Sequence, residues 1–217
     1  LRLGLVVNPD AGLGGKLGLK GSDGKADLAR SLGADDRSGP RIVTFLNYFS
    51  SLYKPDLYDI FWVTSKGRMG TDWMPKEIDV GSVKTVHESH GETSFADTKE
   101  VVRKVIDYGV DLIVYAGGDG TTRDIVAELD KLDKSKLPLI GVPTGVKMYS
   151  GSFAASPKAA AEVLSAWIRG DLLVASTEVL DLDEERYRNG EWIVRHYAEA
   201  NTPSSPRWMQ GSKQRVE

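Results

Sequence analysis

The stretch Gly117-Gly118-Asp119-Gly120-Thr121 carries the densest chemical signal in the chain. It follows the apolar strand pattern of Asp111 to Ala116 and precedes a segment of helical periodicity. That places it at a strand-to-helix turn, at the carboxyl edge of a sheet where ligands bind. Glycines there let the backbone approach a phosphate closely, and the free N–H groups of the helix start attract it. A carboxylate inside an anion site is unfavourable unless it has work to do, either accepting a hydroxyl proton or holding Mg2+. The competing reading is a plain tight turn, with Thr121 as N-cap and Asp124 as a capping carboxylate. A second glycine loop, Thr144 to Gly151, follows the next apolar run, and the two loops together favour the phosphate site.

Other templates fail on spacing. Gly15-Lys16 is followed by Leu17 and preceded at the required distance by Asp10, so it is no Walker A loop. Leu17 also stands where a dinucleotide fingerprint beginning at Gly12 needs its third glycine. His87 and His90 are one residue too close for the zincin pattern and read as a solvated loop pair. Asp181, Asp183, Glu184 and Glu185 read as a solvated strand face near a turn, and His196 needs no special role. With no cysteine, thiolate metal sites, disulfides and Cys nucleophiles are excluded.

The elements that must position these loops alternate. Leu3 to Val7 reads as a buried strand ended by Asn8-Pro9-Asp10, and a glycine-studded loop follows from Gly12 to Gly24. Residues 41–53 space Ile42, Phe45, Leu46, Phe49 and Leu52 as one helical face, with Pro40 in the first turn. Tyr58 to Val63 and Val83 to His87 read as strands. Ser94 and Asp97 have capping-box spacing ahead of a helix carrying Val101, Val102, Val105 and Ile106. After the glycine turn, a helix from Thr121 turns Ile125, Val126 and Leu129 inward, and Leu137 to Val142 forms the next strand. Ser156, Pro157 and Gly170 mark the start and stop of a last helix. This alternation predicts an α/β fold with a parallel sheet covered on both faces.

Beyond Gly170 the pattern changes. Glu178 to Asp183 alternates apolar and polar, Asn189-Gly190 signals a two-residue hairpin, and Trp192 to Tyr197 pairs back. The expectation is an α/β domain over 1–170 and the start of a β-rich second domain over 171–217, incomplete at Glu217. From Thr202 onward an extended segment is expected. Of 217 residues, 41% are hydrophobic and 27% charged, and the net charge is −3. That balance argues against sequence-independent nucleic-acid binding, which needs a basic face. No apolar run approaches the length of a membrane span, so a soluble cytoplasmic protein is expected. The 23 glycines exceed the usual share of roughly 7%, and they cluster in the loops just described.

At these residues a family resemblance appears. The Gly117-Gly118-Asp119-Gly120 turn resembles the signature of the superfamily of NAD kinases, diacylglycerol and sphingosine kinases and 6-phosphofructokinases. Asn8 to Gly15 is similar to the Asn-Pro, glycine-rich opening of several members. Gly117 to Ile125 together with Gly141 to Phe153 resembles the ATP-NAD kinase-like proteins, and Asp97-Thr98 and Gly67 to Gly70 fit the same group.

The resemblance implies a Rossmann-like first domain, a β-rich second domain, and Mg2+-dependent phosphoryl transfer from ATP or polyphosphate to NAD, forming NADP. It implies that Asp119 helps activate the acceptor hydroxyl. Gly117, Gly118, Gly120 and Thr121 would line the phosphates, with Asn8 at the same sheet edge. In the second loop Thr144, Gly145 and Ser150 would face the ligand, Thr144 and Ser150 as hydroxyl donors, and Lys147 would supply a cation. A small nucleotide substrate and a homo-oligomer are expected; the rivals are a kinase for another small hydroxylated acceptor, and a nucleotide-binding regulator or inactive fragment lacking half the site. Two departures stand out: no Asn-Glu dipeptide occurs, and no Asn-Asp pair follows the second motif. The second of these counts against a lipid acceptor.

Overall fold

The structure, a computed structural model, describes residues 1–12, 36–53, 59–78, 82–88, 95–144, 148–182 and 189–205. Five parallel strands form the main sheet in the order β3-β2-β1-β4-β5. They are β1 (Arg2–Val7), β2 (Phe61–Lys66), β3 (Val83–Glu88), β4 (Leu112–Gly117) and β5 (Leu139–Pro143). The chain runs outward from β1 to β3, returns to place β4 on the other side of β1, and continues outward to β5. The reversal falls between β1 and β4. In open sheets of this kind the crevice beyond the carboxyl ends at that reversal is where ligands sit.

Helices cover both faces. Helix α1 (Ser38–Leu52) and helix α4 (Pro157–Ile168) bury Ile42, Phe45, Phe49, Val163 and Leu164 against Leu3, Leu5, Val7, Leu112 and Val114. Helix α2 (Phe95–Tyr108) and helix α3 (Asp119–Lys131) bury Val101, Val105, Ile125 and Leu129 against Val6, Ile113 and Tyr115 on the opposite face. Alternate residues of β1 and β4 thus serve alternate layers, as a strand's period of two requires, and the near-continuous apolar runs are those of strands buried on both sides. Ser156 accepts the Ala159 N–H at 3.0 Å, with Pro157 in the first turn of α4, as the N-cap pattern predicts.

Three local readings are corrected. Strand β2 runs through polar Thr64 and Ser65 to Lys66 instead of stopping at Val63. Their hydroxyls are satisfied internally: Thr64 Oγ1 donates to the Leu5 carbonyl at 2.7 Å, and Ser65 Oγ lies 3.0 Å from His87 Nδ1. His87 is therefore a buried strand residue, not half of a solvated loop pair; His90 lies outside the described residues. The two-residue hairpin at Asn189-Gly190 is not the connection either. Antiparallel strands β6 (Val174–Leu182) and β7 (Val194–Pro203) pair Leu182 with Val194, so residues 183–193 link them. Gly190 does adopt the positive φ of a turn, at 82°, but inside that longer connection. The hairpin docks on the α2/α3 side of the sheet through buried Val179 and Ala200; strand β7 includes Thr202 and Pro203, and most of the segment read as extended, residues 206–217, lies outside the described residues.

Candidate functional site

The turn after β4 begins its helix earlier than its sequence suggests. Gly118 is the N-cap, in an extended conformation (φ −111°), and Asp119 and Gly120 occupy the first turn of α3. Thr121 is therefore inside the helix, not its cap. The Gly118 carbonyl accepts the Thr122 N–H at 3.0 Å, which leaves the first N–H groups of the helix facing the sheet edge. A Cβ on Gly117 would run into the Thr121 side chain, so that glycine is required by packing. Gly118 is different: an added Cβ would come no closer than 4.0 Å to Met148 Sδ, and its φ suits any residue. Its small size keeps space open; no backbone strain enters.

Two neighbouring loops are tied to this turn. Asn8, just past β1, donates from Nδ2 to Thr121 Oγ1 at 3.0 Å and through its backbone N–H to the Ala116 carbonyl at 3.0 Å. The Asp119 carboxylate reaches the loop after β5, where Oδ2 accepts the Tyr149 N–H and Oδ1 the Ser150 N–H, both at 2.8 Å. Asp119 is 7% exposed. Burial pushes its pKa up, the bonds from Ser150 and Tyr149 pull it back, and the charge of Asp181 adds to the rise, leaving it above the usual carboxylate range.

Gly12, Gly118, Asp119, Thr144, Met148 and Tyr149, together with Asp181, Leu182 and Trp192, line a cleft of about 220 Å³ at this edge. Gly12 has a φ of 81°, and a Cβ there would lie 2.9 Å from the Thr144 carbonyl, so the loops after β1 and β5 touch through bare backbone. Thr144 Oγ1 is fully buried and has no hydrogen-bond partner among the described residues. A donor and acceptor so placed costs free energy until something fills it. A larger hollow, about 520 Å³, lies beside Ile106, Val110, Lys134 and Leu137. Those residues precede β4 and β5, at the amino edge of the sheet, away from both glycine loops.

The structure thus brings Asn8, Gly117, Gly118, Asp119, Gly120, Thr121 and Thr144 together. Ser150 is close but differently employed: its hydroxyl donates to the Leu180 carbonyl at 2.9 Å and accepts the Leu180 N–H at 3.0 Å, fastening β6 instead of facing a ligand. Gly145 and Lys147 lie outside the described residues.

Three residues of the cleft are invisible to motif reading. Asp181, expected on a solvated face, is turned inward, where its carboxylate pairs with Arg123 at 3.1 Å and bears on Asp119. Strand alternation could mark its side of β6 but not what that side meets. Tyr149 and Trp192 are the others, joined by a 3.1 Å bond from the indole N–H to the phenol oxygen. No spacing rule marks them.

Beneath the turn, Tyr115 OH shares hydrogen bonds with Thr122 Oγ1 at 2.6 Å and Ser152 Oγ at 2.8 Å. Burial drives its pKa well above that of a free phenol despite the two hydroxyls. Tyr115 stays neutral and holds β4, the start of α3 and the loop after β5 in one network.

None of the described helices is long and apolar enough to cross a membrane. No curated protein matches the chain. A solved diacylglycerol kinase from Bacillus anthracis str. Sterne is similar over 84% of this chain and 47% of its own, at 15% identity and a TM-score of 0.41. The chain therefore spans about half the length of that structure. The family model of the ATP-NAD kinase N-terminal domain matches residues 3–172. That span runs from β1 past the end of α4 and contains both glycine loops and Asp119. The chain belongs to the ATP-NAD kinase N-terminal domain family.

Proposed function

We propose that this chain supplies the phosphate-binding and hydroxyl-activating half of a nucleotide kinase, with NAD as acceptor, ATP or polyphosphate as donor and NADP as product. Family membership supports phosphoryl transfer as the reaction class. The observation that carries the reading is Asp119, a buried carboxylate on the first turn of α3, at the edge where the sheet order reverses. Its two oxygens hold the second loop by backbone N–H groups, and each retains a lone pair for an acceptor hydroxyl. The exposed N–H groups of the turn, with the Thr144 hydroxyl, receive phosphate oxygens. Gly145 and Lys147, outside the described residues, complete the proposed binding set, Lys147 as the compensating cation. Catalysis rests on positioning and charge neutralisation, as is general for phosphoryl transfer.

Among the described residues no group of three or more His, Asp or Glu side chains is arranged to hold a metal. Among the described residues, Asp119 and Asp181 are the carboxylates that line the cleft. Magnesium at nucleotide sites needs only one or two carboxylates, with phosphates and water completing the shell. The residues therefore fit an ion carried in with the phosphates, where it would neutralise charge on the transferred group.

We place residues 1–170 as the α/β domain and 171–217 as the entry to a second, β-rich unit, in a soluble cytoplasmic homo-oligomer. A second reading has its own support. Both Asp119 oxygens already accept hydrogen bonds, which favours a chain that binds nucleotide without transferring phosphate. A coupled assay for NADP formation, with ATP or polyphosphate and Mg2+, separates the two. Product formation establishes transfer to NAD. Thermal stabilisation by NAD or ATP without turnover establishes the regulator, because only ligands bound to the folded state raise the midpoint.

A further inference from the structure

The end of the cleft nearest β1 carries a residue that breaks a local rule. Helix α1 begins at Ser38, and Arg37 stands at its N-cap. That position favours Ser, Thr, Asp or Asn, whose short side-chain oxygen accepts an N–H of the first turn. Arg37 makes no such bond, and the helix dipole disfavours a cation there. Its neighbour Asp36 is bonded to Arg68 at 3.0 Å, and among the described residues no acceptor meets the Arg37 guanidinium. The residue is nonetheless partly buried. A Cβ on Gly12 would lie 3.3 Å from Arg37 Cδ and 2.9 Å from the Thr144 carbonyl, so the aliphatic stem of Arg37 and the loop after β5 share one bare glycine. Gly12 and Thr144 both line the cleft, and the guanidinium begins at the atom after Cδ. An arginine and a buried hydroxyl, neither with a side-chain partner among the described residues, therefore flank the same glycine. Local rules give way in this manner where a site requires it.

We infer that Arg37 is a phosphate-binding residue, whose guanidinium takes oxygens of the ligand's phosphate chain at the Gly12–Thr144 end of the cleft. The inference rests on the nucleotide-binding function proposed above and sets which end of the cleft holds the phosphates. Asp119 and Asp181 line the cleft, and Arg123 pairs with Asp181, so a polyanion arriving there needs a further positive charge. The planar fork of an arginine matches phosphate oxygens two at a time, which an ammonium does not. The positive end of α1, which makes this arginine unfavourable in the free chain, attracts the same anion. Binding therefore relieves a repulsion as well as forming bonds.

The test titrates inorganic tripolyphosphate and MgATP calorimetrically against the full chain and three variants. Arg37→Gln keeps the stem as far as Cδ and removes the charge. Arg37→Lys keeps the charge and removes the fork. Lys136→Gln removes one charge at an exposed position before β5, at the amino edge of the sheet. Arg37→Gln weakens both ligands about 10-fold or more, the worth of a hydrogen bond to a charged group. Arg37→Lys falls between it and the parent, and Lys136→Gln binds as the parent does. Added salt narrows the gap between the parent and Arg37→Gln, because a partly exposed charge is screened. Without ligand, the thermal midpoint of Arg37→Gln equals or exceeds the parent's, since a cation leaves the positive end of α1. Unchanged affinity in Arg37→Gln overturns the inference while the phosphate site stands. So does an equal loss in Lys136→Gln, which would reduce the effect to net charge. A lowered ligand-free midpoint in Arg37→Gln also overturns it, by making Arg37 a support of the fold. If the parent chain binds neither ligand, the nucleotide reading falls and the inference with it.

Discussion

Asp119 has two obligations that pull on one carboxylate. It holds the second loop through the N–H groups of Tyr149 and Ser150, and in the proposed reaction it accepts a hydroxyl proton. In Asp119→Asn an NH2 replaces one acceptor and meets a backbone N–H, so the loop loses a bond as the base is lost. Turnover is expected to fall about 10²–10⁴-fold, with thermal stability reduced by about 1–3 kcal/mol. Activity near the parent level would remove Asp119 from the mechanism. Burial and the Asp181 charge both raise the Asp119 pKa, so the acid limb of kcat/KM should lie above the ordinary carboxylate value of about 4. Asp181→Asn removes one charge and frees Arg123 nearby, and both changes move that limb to lower pH. A limb that stays in place excludes Asp119 as the titrating group. The same shift has a stability consequence of opposite sense to that of a salt-bridged acid. The contribution from this group is complete below the unfolded pKa and is lost as pH rises through the raised folded value. Thr144 gives a sharper signature, because its hydroxyl is buried and has no partner among the described residues. Thr144→Val should stabilise the ligand-free chain by about 1 kcal/mol and weaken tripolyphosphate binding. Thermal unfolding with and without tripolyphosphate measures both signs, and a loss of stability in the free chain would contradict the assignment.

At the scale of elements, Tyr115 does for the loops what the apolar layers do for the sheet. It belongs to β4, and its hydroxyl touches the first turn of α3 and the loop after β5. Tyr115→Phe leaves Thr122 able to bond the Gly118 carbonyl but leaves Ser152 short of a partner. A loss of about 1–3 kcal/mol is expected, read as a lowered denaturation midpoint with an unchanged slope. A midpoint equal to the parent's would show the network to be dispensable. The order of strands and helices was legible because buried strands and amphipathic helices write themselves as runs and periods, as in Asp111 to Ala116 and Ile42 to Leu52. What was not legible needed partners from far along the chain. Ser65 and His87 are polar in sequence and buried in the fold because each satisfies the other. Asp181 lies on a side of β6 that alternation identifies, but only the approach of α3 tells whether that side meets water. The connection from β6 to β7 was misread because Asn189-Gly190 has the local geometry of a hairpin turn, while register is set by Leu182 and Val194. The strand-to-helix position of the glycine turn was legible because it is set by consecutive residues; the aromatic pair, assembled from residues 149 and 192, was not.

For the molecule as a whole, the question is what keeps the hairpin on the α/β layer, since an isolated pair of strands is marginal in water. Val179 and Ala200 supply a small buried contact, and Ser150 ties Leu180. A charged link is added by Arg123. It sits in the first turns of α3, where the helix dipole disfavours a cation, and is compensated by Asp181 at 3.1 Å and by the Tyr197 ring, 5.2 Å from its guanidinium carbon. Burial lowers the pKa of Arg123, but Asp181 and Tyr197 outweigh it and hold the charge on. Removing that charge takes the Arg123 guanidinium away from Asp181, whose own charge bears on Asp119. Arg123→Ala should therefore loosen the hairpin selectively and weaken nucleotide binding. Amide exchange should quicken over 174–182 and 194–203, while β1 and β4 keep their protection, because local opening draws on the less stable parts of a fold. Arg123→Ala combined with Asp181→Asn should recover part of both losses, since the second change removes the charge that the first exposed. The two residues are in contact, so their effects should not add. Equal acceleration across β1, β4 and the hairpin would show that Arg123 supports the whole fold. Strict additivity in the double variant would show that Arg123 and Asp181 act apart, and that the site and the hairpin are not coupled through this pair.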